Sequence, residues 1–144
     1  MDKKKFLFLC TGNSCRSQMA EGWARHLLKD QIEAASAGVI KHGVDPRVIR
    51  VMAEAGVDIS GQTSKTIDEL PTLHFDAVIT LCDAANESCP FFPGQVICLH
   101  QGFDDPPLLT KGITKEEKAL QVYRRVRDEI KQFVRELPER IEDR

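Results

Sequence analysis

The segment FLFLCTGNSCRSQMAEGW, residues 6–23, ends an apolar run on a thiol and follows it with a second thiol, a guanidinium and a hydroxyl: Cys10, Cys15, Arg16 and Ser17. Gly12 and Asn13 tolerate left-handed backbone angles. A turn built on them points successive N–H groups inward, at the positive end of a helix that follows. Arg16 adds a planar fork suited to tetrahedral oxyanions. A thiolate at Cys10 is stabilised in such a field and acts as a nucleophile, with Ser17 placed to donate a hydrogen bond to it. The expected chemistry is attack by the Cys10 sulfur on the central atom of a small oxyanion. The residues expected to hold that oxyanion are Thr11, Gly12, Asn13, Ser14, Cys15, Arg16 and Ser17.

Cys82, Cys89 and Cys98 bring the cysteines to five. The odd count, in a chain expected to be cytoplasmic, argues against a structural disulfide framework. Zinc is disfavoured too, because the pairs are spaced five and seven apart with no histidine cluster. Neither a metal nor a cofactor is expected, which leaves catalytic or redox thiols. Cys98, within QVICLH, reads as a small buried hydrophobe. His26, His42, His74 and His100 are scattered, and none is assigned to catalysis.

Regular elements must position these groups. Lys5 to Cys10 reads as a buried strand. Met19, Ala20, Trp23, Leu27 and Leu28 recur at helical spacing between Arg16 and Lys29. Ile32 to Ala37 is a second strand, closed by Gly38. Asp45 and Pro46 open a helix that runs to about Glu54 and stops at Gly56, and Thr66 to Leu70 forms a short helical turn. Phe75 to Cys82 and Gln95 to His100 are the third and fourth strands. GFDDPPLLTKG reads as a loop. Thr114, with Glu117 three residues on, makes a capping box for a last helix ending near Leu137, just before Pro138. Apolar strands alternating with helices imply an α/β fold: one domain over residues 1–144, with a four-stranded parallel sheet and helices on both faces. Ligands bind beyond the C-terminal strand ends of such sheets, and Cys10, Cys82 and the Asp104–Pro107 loop all fall there.

The string CTGNSCRS, between a buried strand and a helix, resembles the phosphate-binding loop of low-molecular-weight protein tyrosine phosphatases and of the thioredoxin-coupled arsenate reductases that share their fold. The likeness continues through SAG at Ser36 to Gly38, GVDIS, QTSK and DDPP. It implies that Asp105, directly before Pro106, is the general acid that protonates the leaving oxygen. Phosphatases of this kind carry aromatic residues just after that pair, where this chain has Pro107 and Leu108. LCDAANESCPFFPG resembles the redox segment of the arsenate reductases, which implies a relay. Cys10 attacks arsenic held by Arg16, and Cys82 then attacks Cys10 and releases arsenite. Cys89 resolves the Cys10–Cys82 disulfide as Cys82–Cys89, and thioredoxin reduces it. If residues 83–88 are helical, the Cα atoms of Cys82 and Cys89 stand about 10 Å apart. That exceeds the about 7 Å a disulfide tolerates, so the short helix must unwind.

The resemblance makes Cys15 a loop component, not a redox partner. Some relatives bind potassium beside the loop, through positions matching Asn13, Glu21, Ser36 and Thr63 and an acidic residue where this chain has Lys65; an ammonium there replaces the cation. The catalytic set is then Cys10, Cys82, Cys89, Arg16 and Asp105. Two other readings compete: a phosphotyrosine phosphatase using Cys10, Arg16 and Asp105, and a non-enzymatic thiol sensor or oxyanion-binding module. A glutathione-type reductant is chemically open to the same three thiols.

The bulk composition agrees with a globular enzyme. The chain has 144 residues, 42% hydrophobic and 29% charged, enough for one domain with a real core. A net charge of −2 offers no basic excess for nucleic acid. Phe6 to Cys10 is too short for a signal-peptide core, and no segment approaches a membrane span. A cytoplasmic monomer that engages neither nucleic acid nor membrane is expected.

Overall fold

A computed structural model describes residues 3–83, 85 and 92–142. Four strands, β1 (Lys4–Cys10), β2 (Ile32–Gly38), β3 (Ala77–Thr80) and β4 (Ile97–His100), form one parallel sheet in the order β2-β1-β3-β4. Phe6, Leu7, Phe8 and Leu9 of β1 are all buried. Successive strand residues point to opposite faces, so this central strand can be apolar throughout only because the sheet is covered on both sides.

The flanking helices are α1 (Arg16–Leu27), α2 (Pro46–Glu54), the short α3 (Pro106–Leu109) and the long α4 (Glu116–Glu142), with a 3₁₀ turn at Ile67–Glu69. Helix α4 buries Leu120, Tyr123, Val126, Ile130, Phe133, Val134 and Leu137 at helical spacing. It is pinned to α1 where the Trp23 indole N–H donates to the Arg127 carbonyl at 3.1 Å. Asp45 caps α2 as expected, its carboxylate accepting from the Arg47 N–H at 2.9 Å. No helix among the described residues is long and apolar enough to cross a membrane.

Several expectations change, among them GFDDPPLLTKG, which contains α3 where a loop was expected, and β4, which starts at Ile97 and not at Gln95. β3 is shorter than Phe75 to Cys82, its paired residues running from Ala77 to Thr80; the Leu81 N–H still donates to the Leu9 carbonyl at 2.9 Å, and the chain then turns at Cys82 toward the loop. β4 is a sheet edge, and Cys98 on it is exposed, not buried. α4 starts at Glu116, and the Glu117 carboxylate pairs with Arg124 instead of returning to Thr114. The same helix passes through Pro138 to Glu142. The missing proline N–H costs one helical bond, while buried Leu137 and Ile141, packed on the core, keep the last turn docked.

Candidate active site

β1 delivers Cys10 to the C-terminal edge of the sheet, and α1 begins six residues later. Between them the loop carbonyls are tied outward. The N–H groups of Val39, Ile40, His42 and Asp45 donate to the carbonyls of Cys10, Thr11, Gly12 and Ser14 at 3.4, 3.0, 3.0 and 3.0 Å. Gln18 Nε2 donates to the Asn13 carbonyl at 3.0 Å. A trans peptide points the next N–H opposite each carbonyl, and Thr11, Gly12, Ser14 and Cys15 of this loop line the hollow. With its carbonyls bonded on the outside, the loop leaves its N–H groups without backbone partners of their own among the described residues, the arrangement an N–H cradle requires.

Asn13 takes the left-handed conformation, with φ 48°. Gly12 does not; the His42 ring packs on it, and a Cβ there would fall 2.3 Å from His42 Cδ2, so that exposed ring would have to shift. Asn13 is also the hub of the site. Its Oδ1 accepts from the Lys65 N–H at 2.8 Å, which assigns Nδ2 as the donor to Ser17 Oγ at 2.8 Å and to Ser36 Oγ at 3.0 Å. Ser36 in turn donates to buried Glu21 at 2.5 Å. Cys10 Sγ lies 2.8 Å from Ser17 Oγ. The Ser17 proton has no other acceptor among the described residues, so it is directed at the Cys10 sulfur.

Arg16 reaches the same hollow. One terminal nitrogen donates to the Phe103 carbonyl at 3.0 Å and the other lies 3.7 Å from Asp105 Oδ2. Its Nε is buried and has no partner among the described residues. Cys10, the loop, Arg16, Asp105 and His42 line a cavity of about 280 Å³. A larger hollow of about 690 Å³ beside it shares Pro107 but contains no thiol. Cys15 stands at the N-cap position of α1, makes no side-chain capping bond and is buried. Burial, with Asp45, Cys10 and Asp105 adding negative field, holds its thiol well above the usual range, so it is a neutral wall.

Cys82, at the end of β3, meets the loop directly: its Sγ lies 3.2 Å from Thr11 Oγ1 and accepts from the Ala85 N–H at 3.4 Å. Cys10, Cys15 and Cys82 are all free thiols. The tertiary structure thus brings Cys10, Thr11 to Ser17, Cys82 and Asp105 to one edge. Cys89, and most of the segment expected to be helical, lie outside the described residues. The Lys65 ammonium donates to the carbonyls of Ser36 and Thr63 at 3.2 and 2.9 Å, beside the Asn13–Ser36–Glu21 chain. His42 and Gln18 also touch the loop. Neither carries a local signal, because each acts through a fold contact with the loop.

The family model for the low molecular weight phosphotyrosine protein phosphatases matches residues 5–144. The arsenate reductase of Halalkalibacterium halodurans is 50% identical over 130 residues, 90% of this chain and 91% of that protein. Among solved structures, an arsenate reductase in the phosphate-binding state is 37% identical with TM-score 0.76, covering 96% of this chain and 98% of the other. A thioredoxin-dependent arsenate reductase from Corynebacterium glutamicum is 26% identical with TM-score 0.68, over 97% of this chain and 62% of that one.

Proposed function

This chain belongs to the low molecular weight phosphotyrosine protein phosphatase family, and we propose that residues 1–144 work as one arsenate reductase domain, a cytoplasmic monomer that thioredoxin regenerates. The Cys10 thiolate attacks arsenic(V) cradled by the loop amides and Arg16. An S–As bond forms, and one oxygen leaves as water with a proton from Asp105. Cys82 then attacks the Cys10 sulfur. The S–As bond breaks with its electron pair going to arsenic, arsenite leaves, and a Cys10–Cys82 disulfide remains. Cys89 attacks Cys82, freeing Cys10 as thiolate and leaving Cys82–Cys89 for the thioredoxin dithiol to reduce.

The observation that carries this reading is that Arg16, whose buried Nε has no partner among the described residues, lines one cavity with Cys10 and Asp105. A buried donor of that kind costs free energy until an acceptor fills the site, and an oxyanion is the acceptor that fits. A phosphatase would share the first step. Two features favour reduction: the thiol of Cys82 held against Thr11, and Leu108, 58% exposed, where an aryl-binding ring would stand.

The test is arsenate-dependent NADPH oxidation with thioredoxin and thioredoxin reductase, with p-nitrophenyl phosphate hydrolysis in parallel. The expected result is arsenite production, with Cys89→Ser releasing one arsenite per chain and stopping as a Cys10–Cys82 disulfide. Efficient ester hydrolysis without arsenate-dependent NADPH use, or normal turnover by Cys89→Ser, refutes the relay.

A further inference from the structure

One wall of the active-site cavity is an imidazole that the reaction above leaves without a task. The backbone N–H of His42 holds the Gly12 carbonyl at 3.0 Å, and its ring packs on the Gly12 Cα. The side chain is exposed at the mouth, and it lines the cavity with Cys10, Arg16 and Asp105. Neither ring nitrogen has a hydrogen-bond partner among the described residues. His100 differs, its Nδ1 engaged by Thr80 Oγ1 at 2.8 Å and its Nε2 by Asp83 at 3.1 Å.

Charge makes the vacant imidazole significant. The titratable groups lining the cavity with it are Cys10, Cys15, Arg16 and Asp105, and Arg16 is the one permanent cation among them. On the segment that carries His42, Lys41 is paired with Glu69 at 2.8 Å. Asp45 is engaged by the Arg47 N–H and the Tyr123 hydroxyl. A doubly charged oxyanion over a thiolate therefore meets less positive charge than it carries. Histidine is the side chain whose charge changes between about pH 5 and 8, and hydrogen bonds between ionised groups are the stronger ones.

Resting on the reading of this cavity as an oxyanion site, we infer that His42 is a substrate-contacting residue, donating a hydrogen bond to the oxyanion from the Gly12 side of the mouth and adding a second positive charge when protonated. Inorganic phosphate, which thiols cannot reduce, is the probe. Its binding to the reduced full chain is measured by calorimetry at about pH 5.5 and about pH 8.5, either side of the histidine range, for the native protein, His42→Phe and His42→Gln. Phenylalanine keeps the ring on Gly12 and removes the donor; glutamine keeps a donor without charge.

His42→Phe should weaken phosphate roughly three- to ten-fold at the lower pH, and by less at the higher. Glutamine should fall between. Phosphate is mainly the monoanion at the lower pH and the dianion at the higher, so each native-to-variant ratio is read beside the ring midpoint, which reports on His42 itself. The His42 ring protons should titrate at a higher midpoint with phosphate bound, and the KM for arsenate should rise by more than kcat falls. Equal affinities for native and phenylalanine chains at the lower pH, an equal loss at both pH values, or a ring midpoint unmoved by phosphate overturns the inference while leaving the site intact. Failure of the native chain to bind phosphate removes the site and this inference together.

Discussion

Asn13→Ala is the substitution that tests how the loop is held. The side chain is fully buried and makes three hydrogen bonds, with Lys65 N–H, Ser17 Oγ and Ser36 Oγ. At about 1 kcal/mol net for each bond, their loss costs about 3 kcal/mol. Alanine must also adopt φ 48°, a conformation that asparagine tolerates, at a further cost of about 1 kcal/mol. The total, about 4 kcal/mol, is a large share of the stability of an ordinary domain. Asn13→Gly loses the same bonds without the backbone penalty, so it should retain about 1 kcal/mol relative to alanine. Urea denaturation of the two variants and the native chain, at equal m-value, reads both differences. The same change frees the Ser17 hydroxyl from Asn13 and so from its alignment on Cys10. Loss of a hydrogen bond to a charged group predicts roughly ten-fold slower adduct formation, measured by single-turnover quench. An alanine variant within about 1 kcal/mol of native, or indistinguishable from glycine, refutes the picture of Asn13 as the hub.

Asp105→Asn should slow single-turnover formation of the arsenate adduct roughly 100-fold or more, most clearly at the low-pH end of the native profile; an unchanged rate there removes Asp105 as the acid. Cys15 keeps its proton when folded, whereas the unfolded chain releases it near 9.0. Its contribution is complete below that pH, and rising pH above it favours unfolding. Cys15→Ala should therefore show a flatter loss of stability than native above about pH 9 in urea titrations, and a steeper one contradicts the burial argument. Because the Lys65 ammonium already occupies the Ser36 and Thr63 carbonyls, exchanging sodium for potassium should leave the melting temperature and the KM for arsenate unchanged. A potassium-specific stabilisation would show that the ammonium is displaced.

Local chemistry made much of this protein legible in its sequence. The residues that shape the thiol loop are neighbours along the chain: the apolar run of β1, the left-handed turn at Asn13 and the start of α1 at Arg16. Asp45 with Pro46 likewise marks the start of α2 without reference to any distant residue. The resemblance of CTGNSCRS and DDPP to a known family then placed Arg16 and Asp105 in one site, and the cavity contains both. What the local pattern misjudged depends on neighbours that lie far along the chain. QVICLH reads as a buried strand, but whether Cys98 is covered is decided by its strand standing at the sheet edge. Pro138 looks like a terminator, and α4 continues because Leu137 and Ile141 find the core.

The same distinction holds within the site. Local propensities, which act over a few residues, placed a thiol where a buried strand leaves through a tight turn into a helix. What surrounds that thiol comes from distant parts of the chain. Thr11 meets Cys82 across 71 positions, Asn13 meets Ser36 across 23, and Arg16 meets Phe103 across 87. The ring that packs on Gly12 belongs to His42, a residue from beyond β2. Such contacts follow from the strand order β2-β1-β3-β4 and from which helix packs where. Those are set by the burial of the whole apolar surface at once, a sum that no short stretch of sequence contains.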